Sequence, residues 1–253
     1  MLILYILGFL AAIAVAIVAG YFAFVAICSL FVNPHKEYEN NSSFYRAQIN
    51  IASAILQKIS WVKVHVTGLE KIPEGKNVLF VGNHRSNFDP IIEWQVLKKW
   101  EIAFISKESN FKIPFYGRFI RKCCFLSIDR EDPRKAIVTI EKATELLKKG
   151  EVCVGVYPEG TRSKTGELLP FHNGVFRIAK RTQAPIVVMA ITGTEQIHKN
   201  VLRRRTDVYL DIADVIEAEE VTGMKTAEIG QRVRETLERQ LGVQSGNFEQ
   251  SSK

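Results

Sequence analysis

The sequence predicts an α/β fold: a single domain with a mostly buried mixed sheet flanked by helices, preceded by an N-terminal pair of membrane helices, one hydrophobic and one amphipathic. Three observations predict it. The chain is 253 residues with a formal charge of +7, yet Met1 to Val32 contains no Asp, Glu, Lys, Arg or His, so all 34 Lys/Arg and 27 Asp/Glu fall later. From Val62 onward, short apolar β-rich runs alternate with helical periodicities, the signature of a sheet covered on both faces. Between these regions, apolar residues recur at three- and four-residue spacing. An overall 47% apolar and 24% charged composition excludes disorder, collagen-like repeats and a small disulfide scaffold. The expected organisation is membrane-associated helices over 1–60, one domain over 61–241, and a polar, disordered tail over 242–253.

The elements follow in order. A straight helix through the charge-free segment is ~48 Å long, beyond the ~30 Å hydrocarbon core, so it has to tilt, kink or lie partly along the surface. It lacks the basic n-region of a secretory signal. Gly20 is its weak point and Asn33-Pro34 its end. Residues 37–60 read as a second helix, with Phe44, Ala47, Ile51, Ala54, Ile55 and Ile59 on one side and Asn41, Ser43, Arg46, Asn50 and Lys58 on the other. That pattern suits a helix at headgroup level, making a hairpin in one leaflet. It equally suits a helix packed on the domain after a single crossing. Either way the basic body favours the cytoplasmic face of the cell membrane. Cys28, Cys123, Cys124 and Cys153 show neither zinc spacing nor a disulfide ladder, which fits a reducing compartment.

In the domain, strands are expected at 63–67, 78–81, 102–106, 125–128, 152–156, 186–191 and 208–212. Helices are expected at 90–99, 115–121, 133–149, 174–181 and 225–241. Pro133 suits a first helical turn and Gly150 a stop.

No G-x-G-x-x-G after a strand, G-x-x-x-x-G-K-[ST], G-x-S-x-G or H-E-x-x-H is present, which counts against nicotinamide, P-loop, serine-hydrolase and zincin chemistry. Chemistry-bearing residues sit at strand ends instead. The apolar run Val78-Leu79-Phe80-Val81 stops in Gly82-Asn83-His84-Arg85-Ser86-Asn87-Phe88-Asp89-Pro90. A carboxylate five residues after a histidine can fix its tautomer while the other ring nitrogen takes a proton. The plain alternative is Asp89 as an N-cap ahead of Pro90. Val152 to Val156 leads into Tyr157-Pro158-Glu159-Gly160-Thr161-Arg162-Ser163, where glycine admits an anion to backbone N–H groups and arginine can grip a phosphate. Ser127-Ile128-Asp129-Arg130 adds another arginine. Each of these two also reads as an ordinary turn or a solvated pair.

Asn83-His84 with Asp89, Asp129-Arg130, Glu159-Gly160-Thr161-Arg162 and Pro185-Ile186-Val187, in that order, resemble the four blocks of the glycerolipid acyltransferases, most closely the 1-acyl-sn-glycerol-3-phosphate (lysophosphatidic acid) acyltransferase branch. The resemblance covers roughly residues 68–193. The chain departs from it where the family commonly has Gly and Phe and this sequence has Cys124 and Ser127, and where a proline is common and Val188 stands.

The resemblance implies transfer of a fatty acyl group from a thioester to the sn-2 hydroxyl of lysophosphatidate, giving phosphatidate in phospholipid biosynthesis. It makes His84 the general base and Asp89 its orienting partner, with Lys107, Arg130, Glu159, Gly160, Thr161 and Arg162 at the substrate phosphate. Backbone N–H groups near the His84 turn are candidates for the oxyanion. No metal or bound cofactor is implied: acyl-coenzyme A or acyl carrier protein is a co-substrate. Expected partners are membrane lipids, not nucleic acid. Lys112, Arg118, Arg121 and Lys122 among Phe111, Phe115, Tyr116 and Phe119 suit a lipid surface or, for the rings, a core. Two other readings stand beside this one: an acyltransferase of the same fold acting on another lysophospholipid or lyso-aminolipid, and a membrane-tethered protein that only binds anionic ligands.

Overall fold

The computed structural model describes residues 1–75 and 77–251, with side chains left aside at 2–4, 11, 14, 201 and 243–251. Seven strands form one mixed sheet in the order β1-β7-β6-β2-β5-β3-β4: β1 is Val62–Thr67, β2 Leu79–Gly82, β3 Ala103–Lys107, β4 Leu126–Ile128, β5 Val154–Val156, β6 Ile186–Thr192 and β7 Thr206–Ile216. Neighbours are parallel except β6 and β7. The central strands β2, β5 and β6 are buried at every position, which is why they read as unbroken apolar runs.

Eight α-helices accompany the sheet among the described residues: α1 Leu2–Leu30, α2 Ser43–Ile59, α3 Asp89–Val96, α4 Tyr116–Lys122, α5 Pro133–Lys148, α6 Arg177–Thr182, α7 Ala218–Gly223 and α8 Thr226–Ser251. Asp132 caps α5, its side chain accepting from Arg134 N (2.9 Å) and Lys135 N (3.4 Å). Ile229, Val233, Leu237 and Leu241 give α8 a buried stripe at four-residue spacing, and it packs on β6 and β7. The expected segment 174–181 divides into a 3-10 turn, Asn173–Phe176, and α6. The short α7, which sequence reading passed over, is closed by a capping box between Glu217 and Glu220. α8 continues past the expected end at Leu241; the disorder expected over 242–253 falls mainly on residues whose side chains lie outside the described ones.

α1 runs unbroken through Gly20, contrary to the weak point expected there, and stops before Asn33-Pro34. Tyr5–Leu30 is long and apolar enough, with a mean hydropathy of 2.6, to cross a membrane. α2 begins at Ser43 rather than Glu37. The preceding stretch is drawn onto the body: Lys149 pairs with Glu39 at 2.7 Å, Lys142 pairs with Glu37, and Asn41 N donates to Glu151 Oε2. α2 turns its polar side inward. Arg46 is buried, donating to Ile102 O (3.1 Å) and Asn41 Oδ1 (3.0 Å) with its guanidinium 4.4 Å from the Trp94 ring, and Asn50 accepts from Trp94 Nε1. Its apolar residues Phe44, Ala47, Ile51, Ala54, Ile55 and Ile59 face outward. The helix thus packs on the domain through its polar side and leaves most of its apolar stripe exposed. Helices α1 and α2 meet through Tyr45 Oη donating to Cys28 O (3.1 Å) and the Phe24–Phe44 edge contact.

The topology also sets where chemistry happens. Because β2, β3, β5 and β6 all run the same way, Gly82, Lys107, Val156 and Thr192 end on one edge of the sheet, the usual crevice of open α/β folds.

Candidate active site

The turn after β2 is folded around one carboxylate. His84 Nδ1 lies 2.8 Å from Asp89 Oδ2, and that same oxygen accepts from Arg85 N and Ser86 N, each at 2.7 Å. The Thr194 hydroxyl, just beyond β6, donates to Asp89 Oδ1. Asp89 is fully buried, so an unmet lone pair is costly there. Its carboxylate reaches back to the turn and does not cap α3, which excludes the plain N-cap reading. With Nδ1–H donating to Asp89, the His84 ring keeps Nε2 as its basic nitrogen.

The third block holds this turn from below. Glu159 is buried; Oε1 accepts from His84 N (2.8 Å) and Oε2 from Leu169 N (2.9 Å). Burial pushes its carboxyl above the ordinary value, against those two donors. Ser163 N donates to His84 O at 2.8 Å, so the loop clasps the histidine backbone from both sides. Glu159 was expected at the substrate phosphate. An acid committed to two backbone donors does not hold an anion; it positions His84. Gly160 also differs from expectation: with φ +67 it makes the turn, and a Cβ there would lie 3.0 Å from the His172 ring.

Around His84 is a pocket of about 300 Å³ lined by Asn87, Phe104, Lys107, Asn110, Arg130 and Tyr157 among others. Lys107 and Arg130 therefore share a pocket with the histidine. Asp129 steers the second by fixing its own turn, accepting from Glu131 N (3.1 Å), Asp132 N (3.2 Å) and Lys135 Nζ (3.1 Å). Arg130 and Tyr157 also line an adjoining, largely apolar groove of about 500 Å³ with Ile128, Ile137, Ile140 and Val175. Thr161 and Arg162 are exposed and line a third, basic recess of about 470 Å³ with Arg85, Lys164 and Lys199. The structure thus separates Arg162 from the pocket that Arg130 shares with His84.

The oxyanion expectation needs correction. The backbone N–H groups of His84, Arg85 and Ser86 are all consumed by Glu159 and Asp89, so none of the three serves an oxyanion; Asn87, whose amide lies on the same turn, lines the pocket. In the segment 111–122, Phe111 and Phe119 are core, while Phe115 and Ile113 are exposed. Arg118 donates to Ser29 O (2.9 Å), and the Arg121 guanidinium lies 4.7 Å from the Phe111 ring.

Sequence reading missed the support under the ring. Tyr157 stacks on His84 with centroids 4.2 Å apart and planes at 8°, and Phe104 stacks beyond it at 5.7 Å. The Tyr157 hydroxyl donates to Glu93 Oε2 at 2.6 Å. Burial raises both the Glu93 carboxyl and the Tyr157 phenol well above their usual values. Two signals pointed here: Glu93 is four residues after Asp89, on the same helix face, and it interrupts an apolar run.

With fold and geometry described, the likenesses to known proteins are specific. A family model described as Acyltransferase matches residues 63–192. The chloroplastic 1-acyl-sn-glycerol-3-phosphate acyltransferase of Brassica napus is 36% identical over 136 residues, 53% of this chain and 39% of that protein. The chain thus matches well under half the length of that plant relative. The 1-acyl-sn-glycerol-3-phosphate acyltransferase of Saccharomyces cerevisiae is 27% identical over 225 residues, 86% of this chain and 71% of that one. The crystal structure of the 1-acyl-sn-glycerophosphate acyltransferase of Thermotoga maritima superposes with a TM-score of 0.68 at 27% identity, covering 89% of this chain and 88% of the other.

Proposed function

The chain belongs to the Acyltransferase family, and from that premise we propose that it moves a fatty acyl group from a thioester to the sn-2 hydroxyl of a 1-acyl-sn-glycerol 3-phosphate. The observation that carries the reading is the His84–Asp89 pair, 2.8 Å apart, in a pocket it shares with Lys107 and Arg130.

The chemistry follows from those contacts. An alcohol is a weak nucleophile at neutral pH, so its proton passes to His84 Nε2 as its oxygen attacks the thioester carbonyl. Asp89 stabilises the imidazolium that forms. The tetrahedral intermediate collapses by breaking the C–S bond, and the imidazolium returns its proton to the departing sulfur. No acyl-enzyme is needed. The acceptor phosphate sits only a few bonds from its sn-2 hydroxyl, so cations that meet it have to share the histidine's pocket; Lys107 and Arg130 do. The apolar groove beginning at Arg130 and Tyr157 offers space for an acyl chain. Acyl-coenzyme A or acyl carrier protein supplies the thioester, and no resident metal or cofactor takes part. Helices α1 and α2 hold the site at the membrane, with the basic body on the cytoplasmic face.

The test is direct transfer: the full chain in detergent or vesicles, labelled acyl-coenzyme A or acyl carrier protein, and a panel of lyso-acceptors. Labelled phosphatidate from lysophosphatidate is the expected product. Preference for a different lyso-acceptor would move the substrate within the family, and no transfer to any acceptor would overturn the reading.

A further inference from the structure

We infer that Trp61 and the loop over residues 197–205 form a further seat on an anionic lipid surface, continuous with the apolar face of α2 and at the same end of the sheet as His84. The inference rests on reading α1 and α2 as membrane-associated.

The topology places these residues. β6 runs with β2, β7 runs against β6, and β1 runs with β7. The first residues of β1 and β7, paired as Val62 with Thr206, therefore stand at the end of the sheet where β2 and β6 finish, the end that carries the His84 turn and Thr194. Thr206 N donates to Trp61 O at 3.0 Å, joining the loop's last residues to the end of α2.

Exposure then marks the apolar residues of this region. The outward stripe of α2 ends at Ile59, 63% exposed; Trp61 follows at 52%, and Leu202 stands 95% exposed on the loop. One exposed leucine is ordinary. An exposed leucine on a basic loop whose Arg204 reaches a tryptophan that follows an exposed apolar helix face has the make-up of an interfacial anchor. The charges agree. Arg203 and Arg204 are exposed next to Leu202, and the Arg204 guanidinium lies 5.7 Å from the Trp61 ring. Arg205 is held by Asp207 at 2.8 Å, which leaves the other two to meet lipid phosphates. An acidic protein partner would satisfy the arginines, but it has no claim on an apolar face that continues into a membrane helix. Such a seat would level the active-site end of the sheet on the bilayer, so that a lipid acceptor reaches His84 without crossing water.

The chain's three tryptophans supply the probe, because Trp94 and Trp100 are buried and Trp61 is not. The full chain is mixed with phosphatidylcholine vesicles, with and without phosphatidylglycerol, carrying brominated acyl chains that quench tryptophan. Expected are a blue shift and quenching that are stronger with the anionic lipid, are weakened by salt, and disappear in Trp61→Phe. Arg203→Gln and Arg204→Gln should each weaken this local seating about fivefold, and Leu202→Asp should reduce it while sedimentation with vesicles persists through α1. A protein that sediments with vesicles but shows no quenching of Trp61 overturns the seat alone, as does quenching indifferent to lipid charge and to both arginines. A protein that does not sediment overturns the seat together with the membrane reading of α1 and α2.

Discussion

Replacing Glu93 by glutamine should stabilise the protein at neutral pH, and the gain should grow as pH rises. Glu93 has no exposed surface. Its Oε2 is met by the Tyr157 hydroxyl, while its Oε1 is buried without a partner. Desolvation drives its carboxyl well above the reference value of 4.5; the Tyr157 hydrogen bond pulls the other way, and the nearby Asp89 carboxylate adds to the rise. In the unfolded chain this group loses its proton near 4.5; in the folded protein it keeps it to a higher pH. Between the unfolded and folded values the native state binds more protons than the unfolded state. Stability contributed by this group is therefore fully present below about 4.5 and is lost as pH climbs toward the raised folded value, at a slope of at most about 1.4 kcal/mol per pH unit for one proton. Glutamine keeps the shape and a hydrogen bond to Tyr157 but does not titrate. At pH 4 the two proteins should agree within about 1 kcal/mol, the size of one neutral hydrogen bond. By pH 7 and 8 the variant should be ahead. Urea unfolding in detergent, followed by the fluorescence of buried Trp94 and Trp100, reads this at each pH. A difference that is flat with pH, or one that favours the parent at high pH, would refute the buried neutral acid and with it the account of how Tyr157 is held on His84.

Other outcomes follow from the same contacts. His84→Ala should abolish acyl transfer while unfolding and vesicle binding stay unchanged; substantial remaining turnover removes the general-base role. Glu159→Ala strands two backbone donors, each costing about 1–3 kcal/mol, and should lower both the unfolding midpoint and kcat with little change in KM. Glu159→Gln, which keeps one carbonyl acceptor, should fall between. Gly160→Ala imposes a β-carbon at φ +67 and should cost about 1–2 kcal/mol, measured by the same unfolding assay; an unchanged midpoint would mean that the turn relaxes freely. Arg130→Ala should raise the KM for lysophosphatidate more than Arg162→Ala does, because only Arg130 shares the pocket with His84. Equal effects in steady-state kinetics would bring the Arg162 recess into acceptor binding.

How much of this was legible in the sequence depends on the range of each interaction. Buried strands announce themselves locally: β2 and β6 are apolar up to their last residues, Gly82 and Thr192, because both faces are covered, whereas β7, whose burial is broken by half-exposed positions, read as a strand less than half its length. The His84–Asp89 contact was legible because the two residues meet across five positions of one turn. Glu159 was misplaced because its partner, His84 N, is 75 residues away, and an acid in a glycine-arginine loop looks like part of an anion site until its lone pairs are counted. The same limit governs α2. Periodicity divides it into apolar and polar sides, but which side looks outward is decided by Ile102 O, Asn41 and the Trp94 ring waiting for Arg46. Cys124 shows the reverse case, where structure explains a departure already visible in sequence. It stands at φ +62, the left-handed region where glycine costs nothing and a β-carbon does. A glycine there is the strain-free choice, and this chain accepts the strain with a side chain that is almost completely buried in the core beside Cys123. The substitution therefore acts on the loop that leads to β4 and Arg130, and so on the shape of the pocket, while the His84–Asp89 contact lies on a different strand end and is left intact.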